Sequence, residues 1–229
     1  MKRSPLREFM TRPTDQGLTF LLVLLFLALF VAQPFLPRGA FSRFITESLL
    51  SLVILFAATA VPRPRLRHLA FWLAGAAIVT RWLIYVVENE SLVPVHGALE
   101  VLFLWLAIYG LLIRVFSRGR VTFRQIQGAV AIYLLIGLAF SEMYFVLELL
   151  QPGSFALGRE GAAVLADVAA DFSYFSFVTL TTVGYGDITP VSDGARQLAV
   201  LEGLIGQLFP AVLLARLVSM ELGSSGGDE

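Results

Sequence analysis

The sequence predicts an all-α integral membrane protein with six transmembrane helices. Apolar residues make up 57% of the 229-residue chain and charged residues only 15%, and the mean hydropathy of +0.79 lies well above that of soluble domains. Six apolar stretches each approach the length of about 20 residues that a helix needs to cross a bilayer. The net charge of zero argues against nucleic-acid binding, and the absence of cysteine excludes disulfides and thiolate metal sites.

The six stretches follow one another along the chain. They are Leu18–Leu36, Phe44–Val61, Leu69–Val87, Leu92–Phe116, Ile126–Leu150 and Arg196–Met220. Pro34 and Pro37 stand at the end of the first stretch and Pro62 and Pro64 at the end of the second, where a helix is expected to stop. The first stretch also loosely fits a secretory signal, with a basic start, an apolar run and Phe30-Val31-Ala32 at the cleavage position. The run is long for a signal and its cleavage residues are poor, which favours a spanning helix.

The distribution of Lys and Arg among the short loops predicts the orientation of the chain. With the N-terminus in the cytoplasm, twelve basic residues lie on the inner side: Lys2, Arg3, Arg7, Arg12, Arg63, Arg65, Arg67, Arg114, Arg118, Arg120, Arg124 and Arg216. Four lie on the outer side: Arg38, Arg43, Arg159 and Arg196. This excess predicts a multi-pass protein of the cell membrane with both termini in the cytoplasm.

The run TTVGYGD, from Thr181 to Asp187, carries the most specific chemistry in the chain. Gly184 and Gly186 have no Cβ and can take left-handed backbone angles, so their alternation with ordinary residues can turn successive carbonyls toward one axis. Carbonyls arranged in this way replace the water shell of an ion. A glycine-rich turn in an unrelated protein is the alternative, and seven specified positions in a row within an apolar chain argue against it.

This run resembles the selectivity filter of the potassium channel family, whose signature is a threonine, a small apolar residue, GYG and an acid. The resemblance implies four residues that coordinate K⁺, which is a transported ion rather than a cofactor: Thr182, Val183, Gly184 and Tyr185. It also implies a re-entrant pore helix before the filter, between the fifth and sixth transmembrane helices. The aromatic and small residues of Tyr174–Leu180 fit such a helix, and Asp167 or Asp171 is expected to cap its start.

Further residues are implied to support the filter: Thr181, Tyr174, Gly186, Asp187 and Glu148. Glu148 sits where voltage-gated relatives carry an outer glutamate that braces the pore mouth, and an exposed acid at a helix end is the equal alternative. Thr189 occupies the position that carries an aromatic residue in channels highly sensitive to external tetraethylammonium. One filter per chain, without an internal repeat, implies a homotetramer, because a carbonyl cage must close around an axis. Related potassium-uptake transporters instead carry four degenerate filter segments in one chain.

The last apolar stretch carries residues at which a pore-lining helix would bend. By the same resemblance Gly206 falls at the gating-hinge glycine of bacterial channels, Pro210 removes a helical hydrogen bond one turn later, and Gly203 is a further candidate. Close helix packing or a fixed kink is the alternative for all three. The alignment turns three residues toward the cavity: Gln207, Pro210 and Leu214. It places Glu202 beside the pore helix, with hydrogen bonds behind the filter.

The first four stretches stand where a voltage sensor would be but lack its charges. Such a sensor needs arginines at every third residue of its fourth helix, because gating work is about 2.3 kcal/mol per charge per 100 mV. Leu92–Phe116 has no arginine before Arg114. Arg81 and Glu100 lie at similar depth and are expected to form a buried structural ion pair, since an unpaired arginine costs about 2.5–3.5 kcal/mol there. His96 is expected to be an interfacial residue.

These observations divide the chain into four parts. They are an N-terminal cytoplasmic segment (1–16), a front domain resembling a voltage sensor without gating charges (17–116), a pore domain (117–220) and a short cytoplasmic tail (221–229). The tail is too short and polar to fold into a regulatory domain. Four arginines are candidate contacts for anionic lipid, although the positive-inside rule alone also explains them: Arg114, Arg118, Arg120 and Arg124.

The predicted function is passive, potassium-selective ion transport by a homotetramer that is not strongly voltage-gated. An enzyme is not expected, because the sequence has no GxSxG, no HExxH, no P-loop and no His or Cys cluster. The alternative is a non-conducting membrane sensor or accessory subunit that retains the pore fold.

Overall fold

The computed structural model describes residues 13–32, 40–87, 90–116, 122–157 and 165–225. Seven helices make up most of these residues: α1 (Pro13–Phe26, continued by a π-helical segment, Leu27–Ala32), α2 (Ala40–Thr59), α3 (Pro64–Val87), α4 (Val93–Val115), α5 (Phe123–Leu150), α6 (Leu165–Leu180) and α7 (Asp193–Ser225). Two short strands, β1 (Phe155–Ala156) and β2 (Thr189–Pro190), pair antiparallel, with Phe155 opposite Pro190.

Each of the six predicted stretches overlaps one helix, and several helices extend past the apolar residues. α3 begins at Pro64 rather than at Leu69, because proline is well suited to the first position of a helix. α7 continues to Ser225, so the first residues of the predicted tail are helical and 226–229 lie outside the described residues. Hydropathy marks the part of a helix that suits the hydrocarbon, whereas backbone hydrogen bonding continues into the polar flanks.

Four helices in the described part of the chain are long and apolar enough to cross a bilayer: α3, α4, the Gln125–Leu150 part of α5 and the Asp193–Arg216 part of α7. The described part of α1 is shorter, and residues 33–36 of the first predicted stretch lie outside the described residues. α2 carries Arg43 and Glu47 in its first half. The chain is therefore a helical membrane protein. Among the described residues, α1 and α2 are not in the set of helices that length and composition alone identify as spanning.

The front helices share their packing surface with α5. Consecutive helices from α1 to α6 contact one another, and α1 also packs directly on α5, where the Thr19 hydroxyl donates to Gln127 Oε1 at 3.3 Å. α4 and α5 run along each other over an extended interface. The predicted boundary between 17–116 and 117–220 therefore does not coincide with a break in packing.

An aromatic cluster joins α5 to α6 behind the filter segment, which is Thr181–Asp187. The ring of Tyr144 lies 5.4 Å from that of Phe155, 6.4 Å from that of Phe172 and 5.0 Å from that of Phe175. Tyr144 and Phe172 are fully buried. Edge-to-face contacts of this kind stabilise packing beyond the area that they bury. The cluster holds α6 so that its C-terminal end leads directly into the filter segment.

Candidate functional site

The filter segment has an alternating backbone. Thr182, Gly184 and Gly186 have φ angles of +59°, +58° and +79°, whereas Val183 and Tyr185 between them do not enter the left-handed region. The two glycines take these angles without a Cβ penalty, but Thr182 is the one described non-glycine residue with a positive φ. The sequence motif indicated the glycines, whereas nothing in it indicated the strained backbone of Thr182.

The amides of the filter segment are tied back to the last turn of α6. The N–H groups of Thr182, Val183 and Gly184 donate to the carbonyls of Thr179 and Val178 at 2.9, 2.9 and 3.3 Å. In a planar trans peptide the preceding carbonyl points opposite to the N–H. The carbonyls of Thr181, Thr182 and Val183 share peptide units with these three amides and therefore point away from α6. They point toward the side on which the whole segment is exposed in the single chain.

The outer end of the filter segment is braced by Tyr174 from α6. The Tyr174 hydroxyl donates to Asp187 Oδ2 at 2.8 Å, and its ring stacks parallel to that of Tyr185 at 6.4 Å. The bond to Asp187 raises the pKa of the Tyr174 phenol, because ionisation of the phenol would break it. At the inner end, the Thr181 hydroxyl donates to the Phe177 carbonyl at 2.6 Å. Side chains of the segment are thus fixed at both ends by α6.

α6 begins before both aspartates that the sequence analysis offered as caps. The helix starts at Leu165, so Asp167 and Asp171 lie inside it and neither is its N-cap. Asp171 is buried in the helix. The prediction of the cap was wrong because a cap depends on where the chain leaves the helical conformation, and the sequence around α6 offers several acids within two turns.

Glu148 joins the end of α5 to the loop that leads into β1, the strand that pairs with β2 beyond the filter segment. Its Oε1 accepts the Gly153 amide at 2.8 Å and its Oε2 accepts the Phe155 amide at 3.1 Å. Phe155 opens β1, which pairs with β2, where Thr189 is exposed. Both carboxylate oxygens are therefore used to hold the loop that follows α5, and the side chain is not a free helix-end acid.

Glu202 of α7 is fully buried behind α6. The Tyr144 hydroxyl lies 2.5 Å from its Oε2 and the Ser176 hydroxyl lies 2.5 Å from its Oε1. Ser176 Oγ is also 2.6 Å from the Gly137 carbonyl oxygen. The sequence analysis placed Glu202 beside the pore helix but did not identify its partners, which come from two other helices. A glutamate inside an apolar helix is a signal that such partners exist.

Of the three residues proposed for bending, Gly206 packs against Leu180, the residue that precedes the filter segment. A Cβ on Gly206 would lie 2.9 Å from the Leu180 carbonyl carbon and 3.1 Å from its Cα, so this glycine allows α7 to approach α6 closely. A Cβ on Gly203 would meet no atom within 4 Å, and α7 is helical through Pro210. Gln207 Nε2 donates to Thr182 Oγ1 at 3.0 Å. Pro210 and Leu214 are exposed on the same helix as Gln207, at helical spacing.

Arg81 and Glu100 are brought together inside the front half. Arg81 Nη2 donates to both oxygens of Glu100 at 2.7 and 2.5 Å, and its Nη1 donates to Glu47 Oε2 at 2.8 Å. His96 Nε2 lies 2.9 Å from Glu100, and its Nδ1 lies 3.0 Å from Thr80 Oγ1. These contacts tie His96 to the Arg81–Glu100 pair, and its position at the membrane interface stays a prediction. His96 and Glu100 are four residues apart on one helix, which could have indicated their contact.

The basic residues predicted to lie at the inner side are only partly described. Arg114 lies in the last turn of α4. Arg118 and Arg120 lie outside the described residues, as does the side chain of Arg124 in the first turn of α5. Arg216, near the inner end of α7, donates to the Phe116 carbonyl and lies over its ring at 4.9 Å from the centroid. This contact links α7 to the end of α4.

Comparisons with known proteins agree with this geometry. A family model described as ion channel matches residues 129–221. Protein LctB of Bacillus caldotenax is 33% identical over 107 residues, which are 46% of this chain and 79% of LctB. LctB of Geobacillus stearothermophilus is 38% identical over 82 residues, 35% of this chain and 60% of that protein.

The plant relatives match a smaller share of their own length. Two pore potassium channel c of Oryza sativa subsp. japonica is 39% identical over 90 residues, which are 39% of this chain and 17% of the rice protein. The region that the ion channel model matches, residues 129–221, includes most of α5 and α7 together with α6 and the filter segment, and these elements form the site. The chain belongs to the potassium channel family.

Proposed function

We propose that this protein is a potassium-selective channel that conducts K⁺ passively as a homotetramer. The observation that carries the proposal is the alternating backbone of the filter segment, whose tethered amides turn carbonyls away from α6. Four residues supply the ion ligands in this proposal: Thr182, Val183, Gly184 and Tyr185. Carbonyl oxygens in rings replace the hydration shell of K⁺. Two relatives from rice are named potassium channels.

The single chain leaves its site incomplete. Val183 and Tyr185 are 52% and 72% exposed, and α7 presents a row of exposed apolar side chains that includes Leu201, Leu204 and Leu208. Exposed apolar side chains can face lipid, but backbone carbonyls outside a helix cannot, because the hydrocarbon offers them no hydrogen-bond partner. A ring of four copies around the filter segment places these carbonyls on a shared axis and covers α7.

The proposed topology has six spans with both termini in the cytoplasm of the cell. α1 and α2 complete the set in this proposal, and the packing of α1 on α5 and of α2 on α3 supports it. The excess of Lys and Arg at the inner side orients it. Four arginines face the inner leaflet in this topology and are candidate contacts for anionic lipid: Arg114, Arg118, Arg120 and Arg124.

The channel is proposed to respond weakly to voltage. The arginine inside the front half, Arg81, is held by two carboxylates, Glu47 and Glu100. Moving it through the membrane field would separate a buried ion pair, which is strongly unfavourable. The described part of α4 carries one arginine, Arg114, in its last turn. The front half therefore serves as a structural partner of α5 and supplies little gating charge.

The test is single-channel recording of the purified protein in planar bilayers with K⁺ on one side and Na⁺ on the other. The expected result is a reversal potential near that of a K⁺-selective membrane, with Rb⁺ also passing. A reversal potential that does not change when Na⁺ replaces K⁺ would contradict the filter assignment. An assembled protein that passes no current would favour the non-conducting sensor or accessory subunit.

A further inference from the structure

Three oxygen-to-oxygen contacts form a chain behind the filter segment. Tyr144 Oη lies 2.5 Å from Glu202 Oε2, Ser176 Oγ lies 2.5 Å from Glu202 Oε1, and Ser176 Oγ lies 2.6 Å from the Gly137 carbonyl oxygen. All three distances fall at the short end of O–H···O hydrogen bonds. Glu202 and Ser176 are fully buried. Each contact therefore needs a proton between its two oxygens.

The number of protons decides the charge of Glu202. The hydroxyls of Tyr144 and Ser176 supply one proton each, and the Gly137 carbonyl supplies none. An ionised carboxylate only accepts hydrogen bonds, so with an ionised Glu202 two protons would serve three contacts. In one of the three contacts, two oxygens would then face each other with no proton between them. A protonated carboxyl group supplies the third proton.

We propose that Glu202 is held as an uncharged carboxylic acid and acts as a positioning residue for the pore helix. Tyr144 donates to Oε2, the acid O–H at Oε1 donates to Ser176, and Ser176 donates to the Gly137 carbonyl. The titratable groups that face Glu202 from α5 are Tyr144 and Tyr133, and the Tyr133 hydroxyl donates to the Leu180 carbonyl at 3.1 Å. Hydroxyls rather than a cation thus occupy both acid oxygens.

The chain of bonds has a direct route to the filter segment. It joins α5, α6 and α7 at Ser176, which lies two and three residues before Val178 and Thr179, whose carbonyls hold the filter amides. A shift of α6 at Ser176 would move these carbonyls with it. Glu202 therefore controls the geometry of the filter segment without contact to an ion. This consequence for conduction rests on the proposed function, whereas the protonation of Glu202 rests on the bond distances alone.

The first test is infrared difference spectroscopy of the purified protein against Glu202→Gln. The expected result is loss of a carbonyl stretching band of a protonated carboxylic acid. Tyr144→Phe keeps the ring and should move the same band to higher frequency, because the acid carbonyl loses its hydrogen bond. Loss of carboxylate bands instead, or an acid band that neither variant changes, would overturn the proposal. This readout does not depend on conduction.

The second test is Rb⁺ uptake into liposomes, with Glu148→Gln as the matched control. A glutamine at 202 accepts from Tyr144 and donates to Ser176 as the acid does, so uptake should stay within about two-fold of the wild type. Glu148 accepts two backbone amides, so its glutamine presents an N–H to a donor and uptake should fall about ten-fold. Glu202→Leu removes the acceptor of the Tyr144 hydroxyl and the donor to Ser176, so uptake should also fall about ten-fold or more.

Equal losses in assembled Glu202→Gln and Glu202→Leu would overturn the positioning role. If the wild type carries the acid band but passes no Rb⁺, the proposed function fails and the protonated Glu202 stands. If Rb⁺ passes and Glu202→Gln loses carboxylate bands instead of the acid band, the proposed function stands and the protonation of Glu202 fails.

Discussion

Gly184 is the position at which one added methyl group should affect ion selectivity most directly. Its φ is +58°, and a Cβ at this position would meet no atom within 4 Å, so Gly184→Ala strains the backbone without a clash in the chain. A left-handed angle costs an ordinary residue about 1–2 kcal/mol. In the proposed homotetramer the four copies add to about 4–8 kcal/mol against the conducting backbone. Since about 1.4 kcal/mol is ten-fold, the conducting arrangement should become rarer by roughly three to six orders of magnitude.

The measurement is the K⁺-to-Na⁺ permeability ratio from reversal potentials, after size-exclusion chromatography has confirmed assembly. Gly153→Ala is the matched control, because Gly153 has a φ of +85° and equally free space but lies in the loop outside the filter segment. It should lower thermal stability by a similar amount per chain and keep the selectivity. Wild-type selectivity in Gly184→Ala, or an equal loss in both variants, would refute the assignment of the filter backbone.

Three further predictions test the outer mouth, the front half and the last helix. Thr189→Tyr should strengthen external tetraethylammonium block, since each aromatic face adds about 0.5–2 kcal/mol by cation–π attraction, and unchanged block in a conducting mutant contradicts the register. Arg81→Ala leaves the buried Glu100 without its arginine and should cost about 3–5 kcal/mol of stability in thermal unfolding, with open probability nearly constant between about −100 and +100 mV. Gly206→Ala pushes a methyl against Leu180 and should cost about 1–3 kcal/mol per site, whereas Gly203→Ala in the same helix should unfold at nearly the wild-type temperature.

The helices were predictable because the bilayer imposes a length on apolar sequence. The long stretches ending at Val87, Phe116 and Leu150 all appear as helices that end within a residue of those positions. The polar ends were less predictable, since the start of α3 at Pro64 and the end of α7 at Ser225 depend on local hydrogen bonding. The π-helical segment at the end of α1 has no signal in the apolar pattern, because it differs from an α-helix only in hydrogen-bond register.

Some features of the candidate site were likewise predictable from the sequence, and others were not. Gly184 and Gly186 were recognisable because glycine is the residue that takes left-handed angles freely, and both have left-handed φ angles in the structure. The left-handed Thr182 was not recognisable, because its conformation is imposed by bonds from α6 and α7. Glu148 could be placed at a helix end from the sequence, but the two amides that it accepts belong to a loop whose path the sequence leaves open.

The sequence by itself determined the class of the protein and the chemistry of its site, because apolar length and the spacing of glycines are properties of neighbouring residues. It did not determine which distant side chains meet. Tyr144, Ser176 and Glu202 are 26 to 58 residues apart, and Glu47, Arg81 and Glu100 lie on three different helices. These groups come together only when the packing of the helices sets their rotation and depth, since polar groups in the bilayer must find partners wherever the fold provides them.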